Sequence, residues 1–249
     1  MSICSVRTGL AVGVVLGAAG LAQAGVVGAF EVTVPATANI FSSVVRTPVA
    51  PGGGGAGTLA VEIVLPALPE RHGGNFFSVS AAFGSVSCCN GVGGTFNGPE
   101  GGSAASGNTN INGDSGVSGI IHNQRTMFLV GVFTSSNVGA GLPLPPSLDF
   151  SDGADNFHEL SPLLNQQFFI GDGLANDEDL RHLVAQEFFI PHGATSLWLG
   201  FADAFDFDGA PGFYGDNVGE LTVVGGFVPT PGAFTLVAGA GLVGLRRRR

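Results

Sequence analysis

Apolar and polar positions alternate with a period of two in two stretches late in the chain, the signature of strands that bury one face. In Ser196–Ala202, Leu197, Leu199 and Phe201 fall on one face and Trp198 on the other. Glu220–Phe227 resumes the pattern, with Leu221 and Val223 separated by Thr222. Gly28–Val34, Thr58–Leu65 and Phe76–Phe83 read as further strands, rich in β-branched and aromatic residues. Thr126–Phe133 is almost continuously apolar, as expected of a strand covered on both faces. Leu163–Ile170 and Gln186–Ile190 echo one another, Gln-Gln-Phe-Phe-Ile against Gln-Glu-Phe-Phe-Ile. We take them as two core strands of similar composition rather than an internal repeat.

The intervening segments are polar or glycine-rich. Pro48–Gly57 (PVAPGGGGAG) reads as a flexible low-complexity loop; it lacks the lysine and hydroxyl residue that end a phosphate-binding loop. Val86–Gly119 is predicted to be a long surface loop, since it holds few large apolar side chains. Gly171–Leu180 reads as a solvated acidic turn, and only Glu178–Ala185 has some helical promise. At least seven short strands with Gly/Pro turns predict an all-β fold, a two-layer antiparallel β-sandwich spanning residues 25–228.

Composition sharpens this picture. Charged residues make up 11% of the chain and glycine numbers 42, which excludes a helical bundle and a charged disordered chain. Phenylalanine accounts for 20 residues against one Trp and one Tyr, so the aromatics are expected to fill a core. The net charge is −10, and between Arg7 and the terminal Arg246–Arg249 only four arginines face all 19 acids. Such a balance repels phosphate and argues against nucleic-acid partners.

Both ends carry targeting features. Arg7, the apolar Leu10–Leu21 and the Ala22-Gln23-Ala24 site match a secretory signal helix over residues 1–24. At the other end, residues 229–249 place Pro229-Thr230-Pro231-Gly232 before the apolar Ala233–Leu245 and then Arg246, Arg247, Arg248 and Arg249. A helix of roughly 14 residues reaches only ~21 Å, short of a ~30 Å hydrocarbon core. This layout resembles the PEP-CTERM sorting tail of exported bacterial proteins, with Thr230 where the family motif carries glutamate. The resemblance implies an exosortase-type sorting enzyme as partner and a transient stay in the inner membrane, and then an envelope or extracellular location. Cys4 would leave with the signal, so the mature chain keeps only Cys88 and Cys89. These can close a strained ring, stay reduced or bridge to another chain.

The candidate chemistry lies in Ala202–Gly219. Asp203, Asp206, Asp208, Asp216 and Asn217 crowd together there with no lysine or arginine among them. Oxygen donors held together in this way suit a hard cation, and calcium accepts six to eight of them in irregular geometry. Phe189-Ile190-Pro191, Ala194–Leu199 and Pro211–Val223 resemble the C-terminal part of the calcium-dependent galactophilic bacterial lectins. The family's P-G-x-Y-G-N-N-S-G segment stands here as Pro211–Gly219, with Asp216 for the first asparagine and Val218 for the serine.

That resemblance implies a jelly-roll β-sandwich of the galactose-binding type. It also implies calcium held by Asp208, Asp216, Asn217 and the carbonyls of Phe213 and Cys88, with a carbohydrate completing the shell. Asp206, Asp208, Asp216 and Asn217 are the candidate ligand-binding residues of the loop. The family's histidine-proline-x-glutamine segment has no counterpart here. Tyr214 and Trp198 are expected in the core rather than as sugar platforms. The competing classes are a structural matrix protein with calcium for stability alone and a hydrolase using Asp203 and Asp206. Scattered histidines and the lack of a nucleophile elbow weigh against an enzyme.

Overall fold

In the computed structural model the described residues are 25–68, 74–91, 95–103, 107–136, 143–177 and 182–229. The predicted signal helix and all of the predicted tail beyond Pro229, including Thr230, Pro231 and Arg246–Arg249, lie outside them. Strands dominate, and they form several sheets. In the largest, Val218–Pro229 lies between Val27–Pro35 and Asn75–Ser87, antiparallel to both. Glu187–Phe189 and then Glu159–Leu160 extend it on the Asn75–Ser87 side. The second sheet is antiparallel throughout, in the order Gln167–Phe169, Val130–Thr134, Ser196–Gly200, Val61–Val64. Both of its central strands are buried at every position. That fits the continuous apolar run around Val130, whereas the alternation read in Ser196–Ala202 hides a strand covered on both sides.

The two glutamine-phenylalanine segments join different sheets and meet. The Phe168 and Phe188 rings lie 5.2 Å apart, Phe188 reaches Phe77 at 5.5 Å, and Phe168 reaches Phe133 at 5.3 Å. Their similar sequences follow from one shared task, packing aromatic rings between sheets.

Trp198 is also core. Its Nε1 donates to Thr134 Oγ1 at 3.0 Å, and the Arg46 guanidinium covers its ring at 5.0 Å. Arg46 is held there by two bonds to the Glu62 carboxylate, at 2.6 and 2.8 Å. A covered ring cannot serve as a stacking platform for sugar.

Three local expectations are corrected. Pro48–Gly57 is an ordered brace: Gly52 N–H donates to Pro211 O, and Phe213, Tyr214 and Gly215 N–H donate to Gly53, Gly55 and Gly54 carbonyls. Val86–Gly119 is not simply a surface loop, since Val86, Ile111, Val117 and Ser118 are buried and Thr109–Ile111 pairs with Ile120–His122. The helix suggested at Glu178–Ala185 is replaced, over its described part, by strand His182–Ala185, which pairs with Leu174–Asp177. In each case partners distant in sequence or across a turn override local composition. Among the described residues no helix is long and apolar enough to cross a membrane.

Candidate cation site

The acidic loop leaves the second sheet at Gly200 and returns to the first at Val218. Tyr214 pins it. This side chain is fully buried; its hydroxyl donates to Phe201 O at 3.0 Å and accepts from Asp203 N–H at 3.1 Å. Burial, followed by the nearby Asp203 charge, drives the Tyr214 phenol well above its ordinary pKa. Gly212 N–H closes the loop onto Asp203 O at 2.9 Å.

Asp203 and Asn217 meet inside this frame. Asp203 is 2% exposed and Asn217 is 5% exposed. Asn217 Nδ2 donates to Asp203 Oδ2 at 2.7 Å and to Ala36 O at 3.1 Å, joining the ends of three segments. Asp203 Oδ1 accepts from Ala204 N–H at 2.7 Å. The other oxygen of the amide, Asn217 Oδ1, is buried with no donor. An orphaned buried acceptor costs about 1–3 kcal/mol, and a cation would relieve that cost.

Asp216, half-buried, lies close enough for its charge to act on Asp203. Burial first, with Asp216 adding, pushes the Asp203 carboxyl up to about 7 against the pull of its two hydrogen bonds. Burial also pushes the Cys88 thiol up to about 12, aided by Cys89 and then by Asp203 and Asp216. Cys88 therefore feels the charge of the same acidic pair. Its carbonyl already accepts from Ser87 Oγ at 2.9 Å and Gly91 N–H at 3.2 Å.

The remaining predicted ligands are placed differently. Asp208 is exposed, with Oδ1 accepting from Asn110 Nδ2 at 2.9 Å, and its backbone pairs with Asn110. Asp206 is exposed at the middle of the Phe205–Phe207 turn, so it does not share the buried setting of Asp203. Phe213 adopts a left-handed backbone, φ 67°, and its ring packs on Phe205 at 5.2 Å. The ligand set drawn from the resemblance omits Asp203. Alternation does not single it out, because the strand before it is buried at every position and Ala202 and Ala204 are buried like Asp203.

No group of three or more His, Cys, Asp or Glu side chains is poised around a metal among the described residues. What the loop offers is two carboxylates, one amide oxygen and backbone carbonyls. Such an all-oxygen set fits calcium rather than a thiolate- or imidazole-seeking metal.

A second polar cluster sits apart from this loop. Arg125 bonds Glu100 Oε2 at 2.8 Å and Asp155 Oδ2 at 3.1 Å, and His122 Nε2 stands 3.4 Å from the same Asp155 oxygen. His122 is fully buried between Phe128 and Phe169, and burial holds it below its ordinary pKa. Burial raises the Glu100 carboxyl to about 7. A carboxyl raised in the folded state stabilises most below its unfolded pKa and loses that contribution as pH rises through the folded value. Wild type should therefore lose stability relative to Glu100→Gln between pH 4.5 and about 7. Urea midpoints of both proteins across that window check this, and a constant difference would refute it.

No protein-family model, curated protein or solved structure matches the chain.

Proposed function

We propose that this is an exported bacterial envelope or extracellular-matrix protein whose β domain holds one calcium ion and binds carbohydrate. The proposed architecture is a two-layer jelly-roll sandwich of the galactose-binding type, supported by the Phe168–Phe188 contact between sheets. The tail is proposed as an exosortase-sorted, transient anchor in the inner membrane, on the residue layout of 229–249 alone.

The observation that carries the calcium reading is Asn217 Oδ1, buried without a donor on an amide that also grips Asp203. In this reading Asp203, Asp216 and Asn217 Oδ1 are side-chain ligands, and the Phe213 and Cys88 carbonyls are the backbone candidates that the resemblance supplies. Asp206 and Asp208, both exposed, are left out of the ligand set. The ion would offset the Asp203–Asp216 repulsion and tie Val218–Pro229 to the end of the second sheet. Open coordination positions would take vicinal sugar hydroxyls. No catalytic role is assigned.

Burial of Asp203 and Asn217 favours a second reading, calcium for stability alone in a structural matrix protein. Melting curves in calcium and in EDTA test the shared claim. At free calcium about 100-fold above Kd, one bound ion adds about 2.7 kcal/mol, and the melting temperature rises. Superimposed curves would reject both readings. A glycan array in calcium separates them: retention of galactosides supports the first, and no saccharide retained supports the second.

A further inference from the structure

The end of strand Asn75–Ser87 carries two sulfurs that calcium binding does not use. Cys88 is buried, Cys89 is exposed, and both are free thiols. Their Sγ atoms stand 2.9 Å apart. A disulfide bond of about 2.05 Å would need only about an ångström of closure.

The backbone creates this approach. Along a strand, neighbouring side chains point to opposite faces. Here Cys89 and Asn90 take left-handed conformations, φ 62° and 53°, and turn the chain back. Ser87 Oγ and Gly91 N–H both donate to the Cys88 carbonyl and hold that turn. No other cysteine occurs among the described residues, and the chain's third, Cys4, lies outside them.

We infer that Cys88 and Cys89 form a redox modification site, which closes to a vicinal disulfide by exchange with a small-molecule disulfide. The exposed Cys89 gives up its proton and attacks one sulfur of the small disulfide, expelling half of it as a thiol. Cys88 then loses its proton and attacks Cys89 Sγ, expelling the other half. Two protein thiols lose two electrons and two protons, and one small disulfide becomes two thiols.

Adjacent Cα atoms are only ~3.80 Å apart, below the ~4.4 Å at which disulfide spacings begin. The ring is strained, and strained disulfides are the readily reduced, regulatory kind. A thiol reductant reopens it. This site stands whether or not the neighbouring loop binds calcium.

The test uses the full chain carrying Cys4→Ser, reduced, freed of reductant and exposed to oxidised glutathione. Intact-mass and maleimide-labelling readouts should show a product lighter by two hydrogens, with no retained glutathione and no reactive thiol. Dithiothreitol should restore both thiols. Cys88→Ser should stop at a glutathione adduct on Cys89. Cys89→Ser changes an exposed side chain, and it should react at least about tenfold more slowly, its remaining thiol being buried. Wild type that keeps both thiols, retains glutathione, or links two chains on a non-reducing gel would overturn the inference. So would a Cys89→Ser protein oxidised as fast as wild type.

Discussion

Tyr214→Ala is expected to cost roughly 3–5 kcal/mol, as for other large buried aromatics. The ring is fully buried, so truncation leaves a cavity beneath the acidic loop. The hydroxyl adds a separate loss, because Asp203 N–H donates to it and Phe201 O accepts from it. Phe201 O keeps a second donor in Ile40 N–H, whereas Asp203 N–H is left with none. Tyr214→Phe isolates that part, at about 1–3 kcal/mol for an unsatisfied buried amide. Urea unfolding of both variants measures the two losses. An alanine variant within about 1 kcal/mol of wild type would show that Tyr214 does not hold the loop.

The second large effect is expected where the glycine-rich segment meets Tyr214. Gly57 has φ +67°, and a Cβ there would stand 2.3 Å from Thr37 O and 2.6 Å from Tyr214 Cβ. Gly57→Val combines a left-handed backbone cost of about 1–2 kcal/mol with overpacking of about 1–3 kcal/mol. Gly53 is the control: its φ is +90°, yet a Cβ there meets nothing within 4 Å. Gly53→Ala should therefore show the conformational cost alone. Denaturation midpoints distinguish the two, and equal losses would mean that the brace yields at no cost.

That brace explains why part of the site was hidden in the sequence. Glycine-rich Pro48–Gly57 looks flexible because its order comes from partners more than 150 residues away, at Pro211–Gly215. No local pattern carries such pairing. Glu178–Ala185 differs: its described part, His182–Ala185, pairs with the neighbouring Leu174–Asp177 across a turn, which overrides its helical composition.

Strong β-branched and aromatic runs were legible because burial itself selects them. Val130–Thr134 and Ser196–Gly200 are fully buried central strands. In the acidic loop, composition located the cluster but not its membership. Crowding in sequence says nothing about which carboxylates turn inward, and Asp208 turns to Asn110 instead. Asp203 was not legible, because the strand leading to it is buried at every position and alternation there marks no inward side.

Calorimetric titration of calcium into the EDTA-treated protein, beside Asn217→Ala and Asp206→Asn, tests the central claim most directly. One saturable ion is expected for wild type and for Asp206→Asn, with binding lost in Asn217→Ala. No binding heat in wild type, or undiminished binding in Asn217→Ala, would contradict it.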